Sequence, residues 1–392
     1  MVRDSTRDSN IRQALTAARL DALVCRLPEN VVCLTGYYPQ IGFSFVVYPA
    51  TGEPVLIVPR PERDQAASGT VADIRTFETW RIGDPAPLES VTRLLRQVVQ
   101  EKGLAGRAIG FEGAFEAIAP SQLAGEPYVP AGVTQRTIGE VVGVPPIDAT
   151  NLLDEVRARK TPEEIAKLRL ASEIAALGLR TFKELAQPGR REAEVAAAVE
   201  ATIYRDGTGY QGARFARAWA QVSSGPNTIE AWYYPVSQSR VIQPGEVVLI
   251  ELGTVVDGYW SDLTRTVVAG GNATPRQREL YNAVCAAQQA SLRAARPGVS
   301  GRDADAAGRQ VLAEAGLDRY FLHHTGHGIG FRYHEPIPWL HPDSDHVLAV
   351  GHVHSIEPGV YSPEFGGIRV EDDAVVLEGG AELLSRREFD LD

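Results

Sequence analysis

Apolar positions change their spacing several times along the first 150 residues. They recur at helical intervals from Ile11 to Leu20 and, among charges, from Leu88 to Lys102, where Gly103 stops the pattern. Between and after these stretches, the β-branched and aromatic runs Ala22–Cys25, Val31–Leu34, Phe43–Tyr48, Val55–Val58 and Ala108–Phe111 read as short strands. Turn signals such as Thr51-Gly52 separate them. Strands alternating with helices predict a mixed sheet covered by helices.

A Pro-containing stretch, Val141–Thr150, follows. Beyond it, Thr161, Pro162 and Glu164 supply the N-cap, N1 and N3 residues of a strong helix start. A boundary near residues 148–157 is expected, with an α/β domain over 1–150 and a second domain over 151–392. In the second part, helical stretches at Pro162–Gln187 and Arg191–Arg205 precede strands at Ala218–Ser223 and Val247–Leu252 and a hairpin. Helices at Pro275–Arg296 and Gly301–Ala315 then precede further strands. This order predicts a duplicated helix-helix-hairpin unit whose sheets meet at a central site.

Composition narrows the class. The chain has 392 residues, 44% of them hydrophobic, enough for two domains with their own cores. A net charge of −11 argues against a nucleic-acid or anionic-membrane surface. The three cysteines, Cys25, Cys33 and Cys285, form no CxxC pair and point to thiols in a reducing compartment. No uncharged apolar run is long enough to span a bilayer, and residues 1–13 show no secretory h-region. A cytoplasmic location is the expectation.

Five metal-type side chains stand out: Glu251, Asp262, His327, Glu357 and Glu371. Asp257-Gly258 is a two-residue hairpin signal. It places Thr264 opposite Glu251 and Asp262 opposite Gly253, so the two acids share one face of an apolar hairpin. Carboxylates that close repel unless a cation or proton lies between them. Arg265 and the hydroxyls of SDLTRT stand ready to support Asp262. His323, His324, His327 and His334 fall within twelve positions of a chain with eight histidines. Glycines around His327 allow close backbone approach. His324 is expected to face away from its neighbour His323, and His341, His346, His352 and His354 to be surface or packing residues. Val353–Ile356 leads into Glu357, and Ile368–Val370 into Glu371, with turn residues between; the faces of this pair are not set by the spacing. Four carboxylates and one imidazole suit one or two of Mn²⁺, Co²⁺ or Zn²⁺.

In order, SDLTRT, HTGHGIG with HEP, IEPGVY and GIRVED resemble the pita-bread metallopeptidases, most closely the branch of prolidases and Xaa-Pro aminopeptidases. LDALVCRLPENVVCLTGYY, at Leu20–Tyr38, resembles the creatinase-type N-terminal domain of that branch. The resemblance implies a creatinase-like α/β domain followed by a pita-bread catalytic domain. It also implies hydrolysis of the Xaa-Pro bond of dipeptides or short peptides with Pro second, and a homodimer. By position, Asp262, His327, Glu357 and Glu371 would bind one metal, with Asp262 and Glu371 bridging to a second held by Glu251. Glu357 would also manage the nucleophile's proton. His323 and His334 would contact substrate or the tetrahedral intermediate, and Arg369 would stand beside the last ligand. A dipeptidase also needs a cation for the substrate carboxylate, for which Arg332 is a candidate.

Two departures fall in the site. The first ligand is Glu251 where the family has Asp, and one methylene moves the carboxylate by about 1.5 Å. The His expected after an SGxN-like motif, here Ser223–Asn227, is replaced by Trp232 or Tyr234, depending on the direction of counting. Three readings therefore stand. The first is an Xaa-Pro metallopeptidase; the second is a related hydrolase of a non-peptide amide or amidine; the third is a non-catalytic binder of the same fold. The retained ligands favour the first.

Overall fold

A computed structural model of the chain describes residues 4–40, 43–78, 84–113, 131–232, 237–385 and 390–392. It divides into two units, Met1–Arg157 and Ala158–Asp392. Among the described residues, no helix is long and apolar enough to cross a membrane.

In the first unit the strands order as Asp73–Phe77, Val55–Pro59, Phe45–Pro49, Ala22–Cys25, Ile109–Phe111 and Ile147–Asp148, and the sheet is mixed, as expected. Its central strands are buried on both faces. The amphipathic helix Pro87–Glu101 lays Val91, Leu95, Val98 and Val99 on that sheet. Three readings need revision. Val31–Leu34 is not a strand; it lies within the helix Pro28–Thr35, which has Pro28 in its first turn and Gly36 at φ 68° closing it. A short apolar run cannot distinguish the two by periodicity, and here Pro and Gly decide. The first helix begins at Ser5, because Asp4 accepts from the backbone N–H groups of Thr6 and Arg7. The helix Ala131–Val142 takes up the start of the Pro-containing stretch Val141–Thr150.

The second unit follows the expected order. Thr161 caps the helix Pro162–Leu185 in a reciprocal capping box with Glu164. A second helix, Glu192–Thr202, leads to a three-stranded antiparallel sheet, Ala216–Ser224, Val247–Val256 and Tyr259–Val268. Helices Pro275–Ala294 and Gly301–Glu314 come next. They are followed by a five-stranded sheet in the order Glu335–Leu340, Gly326–Gly328, Val353–Ile356, Asp372–Leu377 and Gly380–Leu383. A two-stranded ribbon pairs Gly359–Ser362 with Gly366–Arg369.

Alternation along Val247–Val256 decides what faces the site. Val248, Ile250 and Leu252 pack against the first two helices, through Ile174, Leu179, Phe182, Val195 and Val199. Leu249, Glu251 and Gly253 therefore point to the other face, where Leu249 meets Ala231 and Tyr361. The hairpin turns at Asp257 and Gly258, with φ 49° and 90°. Positive φ at both positions is what a type I′ turn requires. The register is the expected one: Glu251 opposite Thr264, and Gly253 opposite Asp262.

Candidate metal centre

Glu357 and Glu371 meet through a break in pairing. Ile356 pairs with Asp372 on one side of the break, and Gly359 with Arg369 on the other. Extending either register puts Glu357 opposite Glu371 in the gap. Pro358 has no N–H to bridge that gap. The backbone N–H of Glu357 instead donates to Thr325 O (2.8 Å), and that of Glu371 to Thr264 O (3.1 Å). The gap thus ties the His327 segment and the first hairpin to the second acid pair. The EDD run is not solvated: Glu371, Asp372 and Asp373 are all buried. Arg265 pairs with Asp372 (2.6 Å), so this arginine supports the acidic run rather than Asp262 directly. Asp373 accepts from the backbone N–H of Asp262 (3.3 Å).

Asp262, His327, Glu357 and Glu371 converge. His327 Nε2 lies 3.6 Å from Asp262 Oδ2 and 3.4 Å from Glu357 Oε1. Its Nδ1 is 2.9 Å from Gly328 O. A carbonyl only accepts, so Nδ1 carries the hydrogen, and a neutral ring presents a lone pair at Nε2. Burial holds His327 below its usual pKa, which keeps it neutral. That lone pair faces carboxyl oxygens, which when ionised also only accept. Burial, then mutual repulsion, pushes Glu357 well up and Glu371 up to about 7; burial pushes Asp262 up to about 8. Thr264 donates to Glu371 Oε2 (2.6 Å), while Glu371 Oε1 is buried with no hydrogen-bond partner among the described residues. A cation satisfies all of these atoms together, so this donor set fits a divalent metal.

The remaining residues fall around this cluster. His334 Nε2 is 3.6 Å from Asp262 Oδ2, which brings it as near that carboxylate as His327. His324 Nε2 is 3.3 Å from Glu357 Oε1; it joins the cluster instead of facing away. The segment before Gly326–Gly328 is irregular there, so neighbouring side chains need not alternate. His323 donates from Nδ1 to His324 O (2.8 Å), leaving Nε2 to accept from Tyr361 Oη (3.0 Å). Its Nδ1 lies 4.0 Å from Glu357 Oε2, and burial drops its pKa to about 4. Arg369 is buried and donates to Thr264 Oγ1 (3.0 Å), Ala231 O (2.8 Å) and Tyr361 Oη (3.0 Å).

Glu251 stands apart. Its Oε1 accepts from Tyr333 Oη (2.8 Å), and its Oε2 is paired with the Arg369 guanidinium. Tyr333 Oη also lies 2.9 Å from Asp262 Oδ1. Tyr333, Tyr361 and Thr264 carry no charge and were not singled out from the sequence. Their only signals were adjacency to His334, membership of IEPGVY and the position opposite Glu251. Trp232 is half-buried beside Ala231, Leu249 and Tyr361. Tyr234 lies outside the described residues.

Comparison with known proteins agrees with this geometry. Residues 166–378 match the model of metallopeptidase family M24, and residues 7–159 that of the creatinase/prolidase N-terminal domain. The chain belongs to metallopeptidase family M24. Its M24 domain carries the whole cluster described above. The Xaa-Pro dipeptidase of Pyrococcus furiosus is 36% identical over 241 residues, 62% of this chain and 67% of that one. The probable dipeptidase PepE of Mycobacterium bovis is 33% identical over 339 residues, 86% and 81% of the two chains. Among solved structures, the prolidase of Pyrococcus horikoshii OT3 superposes with a TM-score of 0.78 at 26% identity, over 99% of this chain and 100% of that one. The two-domain creatinase-plus-pita-bread architecture expected from the motifs is the one these proteins share.

Proposed function

We propose that the chain is a metal-dependent dipeptidase that hydrolyses the Xaa-Pro bond. One observation carries the reading: the His327 Nε2 lone pair faces Asp262 and Glu357 oxygens at 3.6 and 3.4 Å, an arrangement of acceptors that calls for a cation. Asp262, His327, Glu357 and Glu371 are assigned to hold it, and Mn²⁺, Co²⁺ or Zn²⁺ suits their chemistry. When bound, such an ion supplies Lewis acidity and a water acidic enough to attack at neutral pH. The names of the relatives, Xaa-Pro dipeptidase and prolidase, support the substrate.

The side chains divide the proton work. Burial and the charges of Glu371 and Asp262 raise the affinity of Glu357 for a proton, so Glu357 takes one from the attacking water. A prolyl nitrogen in a peptide bond carries no hydrogen and leaves as a secondary amine only once protonated. Glu357 passes its proton there: the water oxygen bonds to the carbonyl carbon, the C–N bond breaks, and the proton ends on the prolyl nitrogen. His323 and His324 flank Glu357 and are held neutral by burial, so they wall the carboxylate without discharging it. His334 is assigned to the scissile carbonyl oxygen as a neutral N–H donor. Arg369 is a positioning residue that joins Thr264, Tyr361 and Glu251.

The test is release of the N-terminal alanine by the Mn²⁺-loaded protein from Ala-Pro, Ala-Pro-Ala and Ala-Ala. Cleavage of Ala-Pro that chelation abolishes and Mn²⁺ restores is expected. Cleavage confined to the tripeptide would mark an aminopeptidase. Hydrolysis confined to an acylated amino acid or creatine would move the chain to a different amide substrate.

A further inference from the structure

Glu251 and Asp262 share one face of the hairpin, and their repulsion has to be balanced. The structure balances it with protein groups. The phenol of Tyr333 stands 2.8 Å from Glu251 Oε1 and 2.9 Å from Asp262 Oδ1, between the two carboxylates. The guanidinium of Arg369 takes Glu251 Oε2. Both oxygens of Glu251 are thereby engaged.

Neither partner is placed by accident of a flexible side chain. The Tyr333 ring is buried. It stacks on His334 (4.6 Å, 14°), meets Trp219 edge-on (5.8 Å) and leans on Trp260 (5.6 Å). Gly253 leaves room for it: a Cβ there would come within 2.7 Å of the ring. Arg369 is held by Thr264, Ala231 and Tyr361. The lengthened acid is what makes the arrangement self-consistent, since the extra methylene carries the carboxylate toward Arg369 and the phenol. A second divalent ion on Glu251 would have to displace the ion pair with the buried Arg369 and a caged hydroxyl.

We propose that Glu251 is not a metal ligand in this chain. The Arg369 guanidinium and the Tyr333 hydroxyl fill its place, and the chain binds a single divalent cation at Asp262, His327, Glu357 and Glu371. Tyr333 is a positioning residue: its one hydroxyl hydrogen, within reach of both Glu251 Oε1 and Asp262 Oδ1, spaces the two carboxylates beside that one ion. The inference rests on the metal-dependent reading above and specifies its stoichiometry.

The experiment is Mn²⁺ stoichiometry of the full chain. The protein is stripped with chelator, reloaded in excess MnCl₂, desalted and measured by elemental analysis and low-temperature EPR. One Mn²⁺ per chain with a mononuclear signal is expected. Two per chain with an exchange-coupled signal overturns the inference and leaves the proposed function standing. None overturns both. One Mn²⁺ without any peptide cleavage contradicts the proposed function and supports the inference. The double variant Glu251→Asp, Tyr333→Val is expected to take up a second Mn²⁺, and a variant that still takes one overturns the assignment of Tyr333. In Glu251→Gln the first ion is expected to stay; a loss of affinity of about 10-fold or more, as for groups that support a ligand, would contradict the assignment.

Discussion

Substituting Gly253 by Ala tests the packing that puts the Tyr333 hydroxyl between the two carboxylates. The new Cβ would lie 2.7 Å from Tyr333 Cε2 and 3.2 Å from Cδ2 and Cζ, inside ordinary contact distance. The ring has no free direction of retreat, with His334 stacked on it and Trp219 and Trp260 around it. Overpacking of this kind costs about 1–3 kcal/mol. For a unit of this size that corresponds to a fall in Tm of about 2–4 °C per kcal/mol. Gly253 does not sit in the left-handed region, so its backbone accepts Ala. With the clash removed, the substitution should gain about 0.5–1 kcal/mol from the lower chain entropy of Ala in a strand. In a Tyr333→Val background, Gly253→Ala is therefore expected to be neutral or stabilising. The double-mutant cycle should return a coupling of about 2–3 kcal/mol, within the range for residues in contact. Thermal and urea unfolding of the four proteins reads it. Equal effects of Gly253→Ala with and without the Tyr333 ring would refute the placement of that ring.

Other perturbations separate the site from its supports. His327→Ala removes the one nitrogen of the assigned donor set and should lower Mn²⁺ affinity by more than about 100-fold, the upper end for mere outer partners, by calorimetric titration. Unchanged affinity would exclude His327 as a ligand. Lys160 and Glu335 form a buried pair at 2.5 Å, and Glu335 also accepts from the backbone N–H of Phe331, fixing the segment that carries Tyr333 and His334. Lys160→Met strands the Glu335 charge and should cost about 3–5 kcal/mol in urea unfolding, whereas Lys160→Met with Glu335→Leu should recover most of it. Glu112, in the first unit, is buried and accepts from the backbone N–H groups of Arg26 and Leu27 and from Asn30; burial pushes it up from 4.5 to about 7. A folded pKa above the unfolded one means the stabilisation is complete below pH 4.5 and is lost as pH rises through about 7, a change of about 3 kcal/mol. Glu112→Gln should flatten that part of the stability–pH curve, and parallel curves for the two proteins would contradict it.

The parts of the site that rest on local rules were legible in the chain. A two-residue turn at Asp257-Gly258 leaves one register, and that register puts Glu251 and Asp262 on one face. Thr161 and Glu164 mark a helix start whatever surrounds them. What escaped depends on long-range packing. The pairing of Glu357 with Glu371 arises from a gap whose backbone bonds go to Thr325 and Thr264, far away in sequence. The strand Asp73–Phe77 escaped because its positions before Phe77 are only half-buried, so it lacks an apolar signature. Tyr333 was invisible as a site residue because nothing in its own segment says that Gly253, on another sheet, leaves a seat for its ring. The Glu at 251, where the resemblance leads one to expect Asp, was visible, but the guanidinium beside it was not.

The most direct test is a titration of the metal-free protein with Mn²⁺ that follows bound ion and proline release from Ala-Pro in the same samples. Activity is expected to rise in proportion to bound Mn²⁺ and to level off at one ion per chain. Activity that appears only as a second ion binds, or no proline at full occupancy, would contradict the account.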